Sequence, residues 1–425
     1  MKTARRIIAK KPAIAYGILA SLLCLYYFKF GLGNDYHIYF EAGSKVRSLN
    51  SPWNLGGDID GLYLHGPLSS IWMCLFTVLP QSIGLNLLRL VSMLAIPFIL
   101  RSTMKMISGG SYSNGTFWMI SCLIILSFPV RASLQYGRFE ILVFALFVYL
   151  ILRIRNAEST LDFLFTGLLT GLILDYKPHI FLLPCLLLLL IFRRLYQFFG
   201  LLISILLGSL ISIVLTNRFP YSDWVKIIIE RGKGVEAQEN LGAFSINYGF
   251  GISPFISVTL GLGVVLFLSL KRNYLVSSSF VTKTLAFILV YVLFLPILHP
   301  QDLIWLPVLH GVFYLRYRVE RISLYWLLLG FLLVWSNSRV INIVMILLIN
   351  MVLYLVVEKI DLKFSLKIVG VMLIPFSLFY SIAYFFPSSG EGHARHFIAV
   401  SSIVLFTSLF VKLEKNLLLL QKVDS

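Results

Sequence analysis

About fourteen apolar runs follow one another along this chain. They lie near 11–30, 84–104, 115–130, 139–154, 161–176, 180–194, 198–217, 251–270, 281–298, 302–317, 322–336, 339–357, 367–386 and 397–413. A helix needs roughly 17–25 apolar residues to cross a bilayer, and fewer if it is broken. The runs therefore predict an all-α polytopic membrane protein of about 12–14 transmembrane helices. Only 13% of the 425 residues are charged, against about 25% in soluble chains. The longest polar stretches, 31–65 and 218–250, are too short and irregular to fold alone. Residues 1–425 are thus expected to form a single integral membrane domain.

The net charge of +17 does not form a nucleic-acid patch, because the basic residues punctuate the apolar runs. They read as topology signals. With the N-terminus inside, about two-thirds of the 36 Lys and Arg residues fall on the inner side, which favours cytoplasmic N- and C-termini. This solution requires the apolar stretch 66–79 to lie along the outer interface or re-enter without crossing. The basic N-terminus and its apolar run lack a small-residue cleavage site, so they read as a retained first span. The four cysteines show no C-x-x-C spacing, and neither a disulfide framework nor a zinc site is expected. The same topology places His37, His65, His179, His299, His393 and His396 outside, with Asp35, Glu41, Glu140, Lys177 and Asp302 at outer span ends. Polar groups gathered at one face of a membrane domain are how a lipid-substrate site is built.

The segment Asn34-Asp35-Tyr36-His37-Ile38-Tyr39-Phe40-Glu41-Ala42-Gly43 follows the first run and reads as a loop with a tight glycine turn. Asp35 is either a general base for an acceptor hydroxyl or a helix-end carboxylate near the interface. Pro67 suits the first turn of an interfacial helix. In Gln135-Tyr136-Gly137-Arg138-Phe139-Glu140, Arg138 and Glu140 pair, cap the next helix or act on substrate, and Arg131 nearby suits phosphate. Asp175-Tyr176-Lys177-Pro178-His179 breaks a long apolar run. Such a break is tolerated only where it is buried in protein or lines a cavity, and Lys177 is favoured as a phosphate contact over a snorkelling side chain. His299-Pro300-Gln301-Asp302 is a second break, either a turn or a sugar contact. P-loop, dinucleotide-fold, H-E-x-x-H and G-x-S-x-G motifs are absent.

Taken in order, Asp35-Tyr36, Tyr39, Ala42-Gly43, Ser51-Pro52-Trp53, Tyr63-Leu64-His65-Gly66-Pro67, Arg89 and Lys177-Pro178 resemble glycosyltransferase family 87 of the GT-C superfamily, the polyprenyl-phosphate-mannose-type transferases. Two departures stand out. The family's Pro-Pro pair is reduced to Gly66-Pro67, and its Gly-Gln-x-Asn motif is replaced by Gly137-Arg138-Phe139-Glu140. The resemblance implies a GT-C fold. Its parts would be a first outer loop with interfacial helix at 31–83, a transmembrane module at 84–217, an outer loop at 218–250 and a variable C-terminal module at 251–425.

The resemblance also implies transfer of a mannose-like hexose or a pentose from polyprenyl phosphate to a lipid-linked or cell-envelope glycan, with inversion. Asp35 would be the base. Lys177, Arg131, Arg138 and His179 would serve the donor phosphate, and Tyr39, Glu41, His65, Glu140, His299 and Asp302 the substrates. No cofactor and no metal are expected. The place would be the outer face of a bacterial-type plasma membrane, with membrane lipids around the protein and no nucleic-acid partner. A polysaccharide polymerase or ligase, or a lipid-linked glycan flippase, is the alternative.

Overall fold

A computed structural model describes residues 2–30, 33–53, 63, 65–107, 114–192, 195–217 and 221–226, with isolated positions between 259 and 315. The side chains of residues 2–11 and of several positions in 179–194 lie outside the description, as do most of 227–425, including the C-terminal runs. The chain divides into two compact units. The first comprises Met1–Phe181, Phe192–Val235 and Ile304–Arg316, and the second Leu182–Ile191, Glu236–Leu303 and Tyr317–Ser425.

Ten helices are described: α1 (Lys2–Phe30), α2 (Asn34–Arg47), α3 (Pro67–Phe76), α4 (Gln81–Ile107), α5 (Asn114–Leu126), α6 (Phe128–Tyr136), α7 (Glu140–Asn156), α8 (Thr160–Tyr176), α9 (Pro178–Phe192) and α10 (Leu195–Thr216). No strand occurs among the described residues. This is an all-α polytopic membrane protein. Segments Pro12–Lys29, Gln81–Lys105 and Leu195–Thr216 are long and apolar enough to cross a bilayer unaided. In the second unit, the body of α9 buries Cys185, Leu188 and Leu189. In the first, the buried Ile304, Val308, Val312 and Leu315 recur at the spacing of one helix face, within the expected run 302–317.

The structure corrects two expectations. Residues 34–43 are not a loop but most of α2, which buries Tyr36, Tyr39, Ala42, Gly43 and Val46. Gly43 makes no turn. It lies inside the helix, where a Cβ would stand 2.7 Å from the Met73 carbonyl oxygen, so the two helices meet backbone to backbone. The run 115–130 is not one straight helix either. It breaks at Ser127 into α5 and α6, bent by 58°. Pro129 supplies no N–H and clashes with a continuing helix, so α6 starts afresh with proline in its first turn.

Elsewhere the reading and the structure agree. Pro67 opens α3 at its first helical position. Ten residues reach about 15 Å at 1.5 Å per residue, half of a roughly 30 Å hydrocarbon layer, so α3 alone cannot cross. The long run around Lys177 ends one helix at Tyr176 and begins the next at Pro178.

Helices α8 and α10 meet through small residues. Gly167 and Gly171 face Gly200 and Ser204, and the Ser204 hydroxyl donates to the Leu168 carbonyl at 3.0 Å. In a bilayer, association depends on such close backbone approach because burying more apolar surface brings no advantage over lipid. A Cβ on Gly200 would collide with the Leu164 carbonyl. Gly200→Leu is expected to separate the pair and to lower the melting temperature of the purified protein by about 5 °C or more. A thermal-shift measurement in detergent would check this, and an unchanged transition would contradict the packing argument.

Candidate active site

Four chain breaks converge in the first unit. At the first, Gly33 takes the left-handed conformation before α2, and its N–H donates to the Gln135 carbonyl at 3.0 Å. That carbonyl belongs to the last turn of α6, where helical carbonyls lack intrahelical partners. Arg89, 1% exposed on α4, serves the same helix end. Its guanidinium donates to the carbonyls of Leu134 (2.9 Å), Gln135 (3.2 Å) and Tyr27 (2.9 Å). A cation at two helix C-termini is also favoured by their dipoles. The start of α2, and with it Asp35, is thereby fixed to the end of α6.

At the second break, Gly137 caps α6 at φ 72°. This is a left-handed position that glycine adopts without strain. The reversal carries Arg138 back toward α2. Phe139 is fully buried, with its ring centroid 5.2 Å from Tyr39 and 5.0 Å from Trp72. Glu140 then opens α7.

The third and fourth breaks are joined. The Gly66 N–H donates to the Asp175 carbonyl at 2.8 Å, and the Ser69 N–H at the start of α3 donates to the Asp175 carboxylate at 2.7 Å. A carboxylate on the free amides of a helix N-terminus is doubly favoured, by hydrogen bonding and by the dipole. A Cβ on Gly66 would collide with that carboxylate. Two residues beyond Asp175 stands Lys177, between α8 and α9.

These breaks bring four ionisable side chains into a line. Asp35 Oδ2 is in direct contact with Arg138 Nε. Arg138 Nη1 lies 4.0 Å from Glu140 Oε1, and Glu140 Oε1 accepts from Lys177 Nζ at 2.7 Å. Two carboxylates alternate with two cations, so the line is neutral. Its ends differ in burial. The Asp35 and Arg138 side chains are about one-fifth exposed (22% and 20%), while Glu140 and Lys177 are at 6% and 10%. Burial pushes the Asp35 carboxyl above its usual range, and the Arg138 charge opposes that rise. Glu140 Oε2 is buried with no hydrogen-bond partner. Such an oxygen is costly to leave unsatisfied and can accept a hydroxyl.

An aromatic wall flanks this line. His65 stacks on Tyr176 at 4.1 Å and 7°, and its Nδ1 lies 2.6 Å from the Tyr176 carbonyl oxygen. Facing a carbonyl, Nδ1 must carry the proton, which leaves Nε2 as an acceptor. Tyr39 packs 5.2 Å from the His65 ring. Burial lowers His65 to about 4. The folded protein therefore refuses a proton that the unfolded chain takes up near pH 6.5. Stability from this group is present above about pH 6.5 and is lost as pH falls toward 4. Melting curves at pH 7 and 4.5 are expected to show that loss, with a smaller difference in His65→Gln. An equal difference in the variant would assign the loss to other groups.

Other expected site residues lie elsewhere. Glu41 pairs with His37 at 3.1 Å on the outer side of α2, where both side chains are more than half exposed. Arg131 is half-buried on α6, its charge near the Tyr27 phenol. His179 stands in the first turn of α9 with its side chain outside the description, and His299 and Asp302 lie outside the described residues. Two residues absent from the sequence-based site proved to organise it. Arg89 carried only its likeness to a family pattern, and Asp175 only its place before Lys177. Among the described residues, no three His, Cys, Asp or Glu side chains converge in the manner of a metal site.

The family model of glycosyltransferase family 87 matches residues 63–303, more than half of the chain. The matched segment holds His65, Arg131, Arg138, Glu140 and Lys177, and it begins beyond Asp35. No curated protein matches the chain.

Proposed function

The chain belongs to glycosyltransferase family 87, and we propose that it transfers a mannose-like hexose or a pentose from a polyprenyl-phosphate donor to a lipid-linked or cell-envelope glycan, inverting the anomeric carbon. The observation that carries this reading is the line of Asp35, Arg138, Glu140 and Lys177. It connects Asp35, read as the base, to Lys177, read as the phosphate contact, through Arg138 and Glu140 in one partly buried site.

Asp35 takes the proton of the acceptor hydroxyl. Held by α2 at the more exposed end of the line, it is open to an incoming acceptor and shielded enough to keep its basicity. Lys177 meets the donor phosphate, which gains negative charge as the glycosidic bond breaks. A cation aimed at that charge stabilises the transition state more than the ground state. The unpartnered Glu140 Oε2 accepts a sugar hydroxyl, and Tyr39 and His65 provide an aromatic face and a lone pair for the ring. Inversion follows from a single displacement with base and leaving phosphate on opposite sides of the anomeric carbon. Arg131, His179, His299, Asp302 and Glu41 are kept as candidates for the remaining donor and acceptor contacts. The site faces the outer side of a bacterial-type plasma membrane, with both termini cytoplasmic, as the charge distribution favours.

Mass spectrometry of extractable glycolipids and surface glycans tests this reading in cells. A deletion strain is expected to lose one hexose or pentose from a single glycan, and wild-type protein to restore it. Accumulation of an intact lipid-linked glycan would overturn the transferase reading in favour of a polymerase or flippase.

A further inference from the structure

In the resting site the base is already engaged. Arg138 Nε is in contact with Asp35 Oδ2. A carboxylate neutralised by a touching guanidinium is a weaker base than a free one. Yet the same guanidinium turns its other edge toward the buried end, where Nη1 lies 4.0 Å from Glu140 Oε1, the oxygen that holds Lys177 at 2.7 Å. Arg138 thus stands between the base and the carboxylate that holds the lysine that would receive the donor phosphate.

We propose that Arg138 is a positioning residue shared between Asp35 and the donor phosphate, holding the base in check until the phosphate arrives and then passing to it. The proposal rests on the polyprenyl-phosphate reading above. The charges support it. The acceptor O–H proton moves to Asp35, which loses its negative charge. The acceptor oxygen bonds to the anomeric carbon. The bond from that carbon to the phosphate oxygen breaks, and its electron pair stays on the phosphate, which gains one negative charge. One unit of negative charge therefore leaves the carboxylate as one appears on the leaving group, and a guanidinium between them faces a counter-charge throughout. Arg138 suits this duty because its planar fork presents separate edges to two anions at once, a wider reach than that of a compact ammonium.

The groups that set the Asp35 proton affinity are few. Arg138, from the turn between α6 and α7, and Lys177, from the junction of α8 and α9, lower it. Glu140 on α7 raises it, and Tyr39 is the neighbouring phenol on α2 itself. The facing helix α3 contains no charged residue. Transfer of Arg138 to a bound phosphate removes the largest opposing charge, so Asp35 should bind its proton more tightly in the complex than in the free protein.

The test is carbodiimide labelling of Asp35, which reports its protonated form, read by peptide mass spectrometry across pH on the full-length protein in nanodiscs. The probe is farnesyl phosphate, with farnesol and inorganic phosphate as controls. In wild type, farnesyl phosphate is expected to raise the labelling midpoint by about one pH unit, and farnesol to leave it in place. In Arg138→Gln the midpoint should start higher and move little. A phosphate near Asp35 also raises its proton affinity by simple repulsion, so an equal shift in both proteins overturns the sharing of Arg138. Arg138→Lys keeps the charge and should retain a shift if the Gln variant does not fold, and its absence there also overturns the proposal. Direct binding of tritiated farnesyl phosphate separates the two levels. Binding without a shift sinks only the role of Arg138, whereas no binding, or a shift with inorganic phosphate alone, sinks the lipid-phosphate donor as well.

Discussion

Asp35→Asn is expected to lower turnover by about 10²–10⁴-fold, the usual worth of a positioned general base, while the protein still folds. The amide keeps the shape of the carboxylate but cannot accept a proton at neutral pH. The Asp35–Arg138 contact lies at the more exposed end of the line. Pairs with water access contribute about 0–1 kcal/mol, so the melting temperature should stay within a few degrees of wild type. Glu140→Gln is the instructive contrast. Glu140 and Lys177 are almost wholly buried, and removing one partner of a buried pair strands the other charge at a cost of about 3–5 kcal/mol.

The pH profile adds a second check on Asp35. A base works only when deprotonated, so activity must fall as pH drops through its titration. Because burial holds the Asp35 carboxyl above its usual range against the pull of Arg138, the acid limb should lie above that of an ordinary aspartate. The assay is transfer by purified protein across pH, once the glycan comparison has named the sugar. Full turnover in Asp35→Asn would remove this residue as the base and leave the family membership untouched.

Much of the line was legible because charges at the ends of apolar runs are conspicuous. Asp35, Arg138, Glu140 and Lys177 each sit where a helix begins or ends, and the fold brings those ends together. Glu41 shows what was lost by reading α2 as a loop. On a helix, Tyr39 lies one turn from Asp35 and shares its face, whereas Glu41, six residues on, turns away toward His37. The period was present in the buried Tyr36, Tyr39, Gly43 and Val46. His37, Glu41 and Ser44 between them, and a glycine in the middle, made the segment look irregular. The break at Ser127 was signalled by Phe128-Pro129, but the run continued apolar through it.

Arg89 was hidden for a different reason, and it carries the largest expected effect on folding. Besides Asn86 Oδ1 at 3.3 Å on its own helix, its partners are the backbone carbonyls of Tyr27, Leu134 and Gln135, which no side-chain pattern can reveal. Arg89→Leu removes the guanidinium from two helix ends; the Gln135 carbonyl keeps the Gly33 N–H, but a buried carbonyl left unpaired, as at Tyr27 and Leu134, costs about 1–3 kcal/mol. Set against a typical stability of about 5–15 kcal/mol, the loss should leave little folded protein in membranes and a transition lowered by about 10 °C or more in what remains. Arg89→Lys should recover only part of this, because one ammonium cannot follow the fork of a guanidinium that meets three carbonyls and lies 5.6 Å over the Tyr27 ring. Fluorescence-detected size exclusion with a temperature series would rank the variants as wild type, Lys, Leu. The same helix ends seat Gly33 and the first turn of α2, so any Lys variant that folds should also lose transfer activity through a misplaced Asp35. A Leu variant as stable and active as wild type would mean that water takes over those carbonyls and that Arg89 does not hold the base in position.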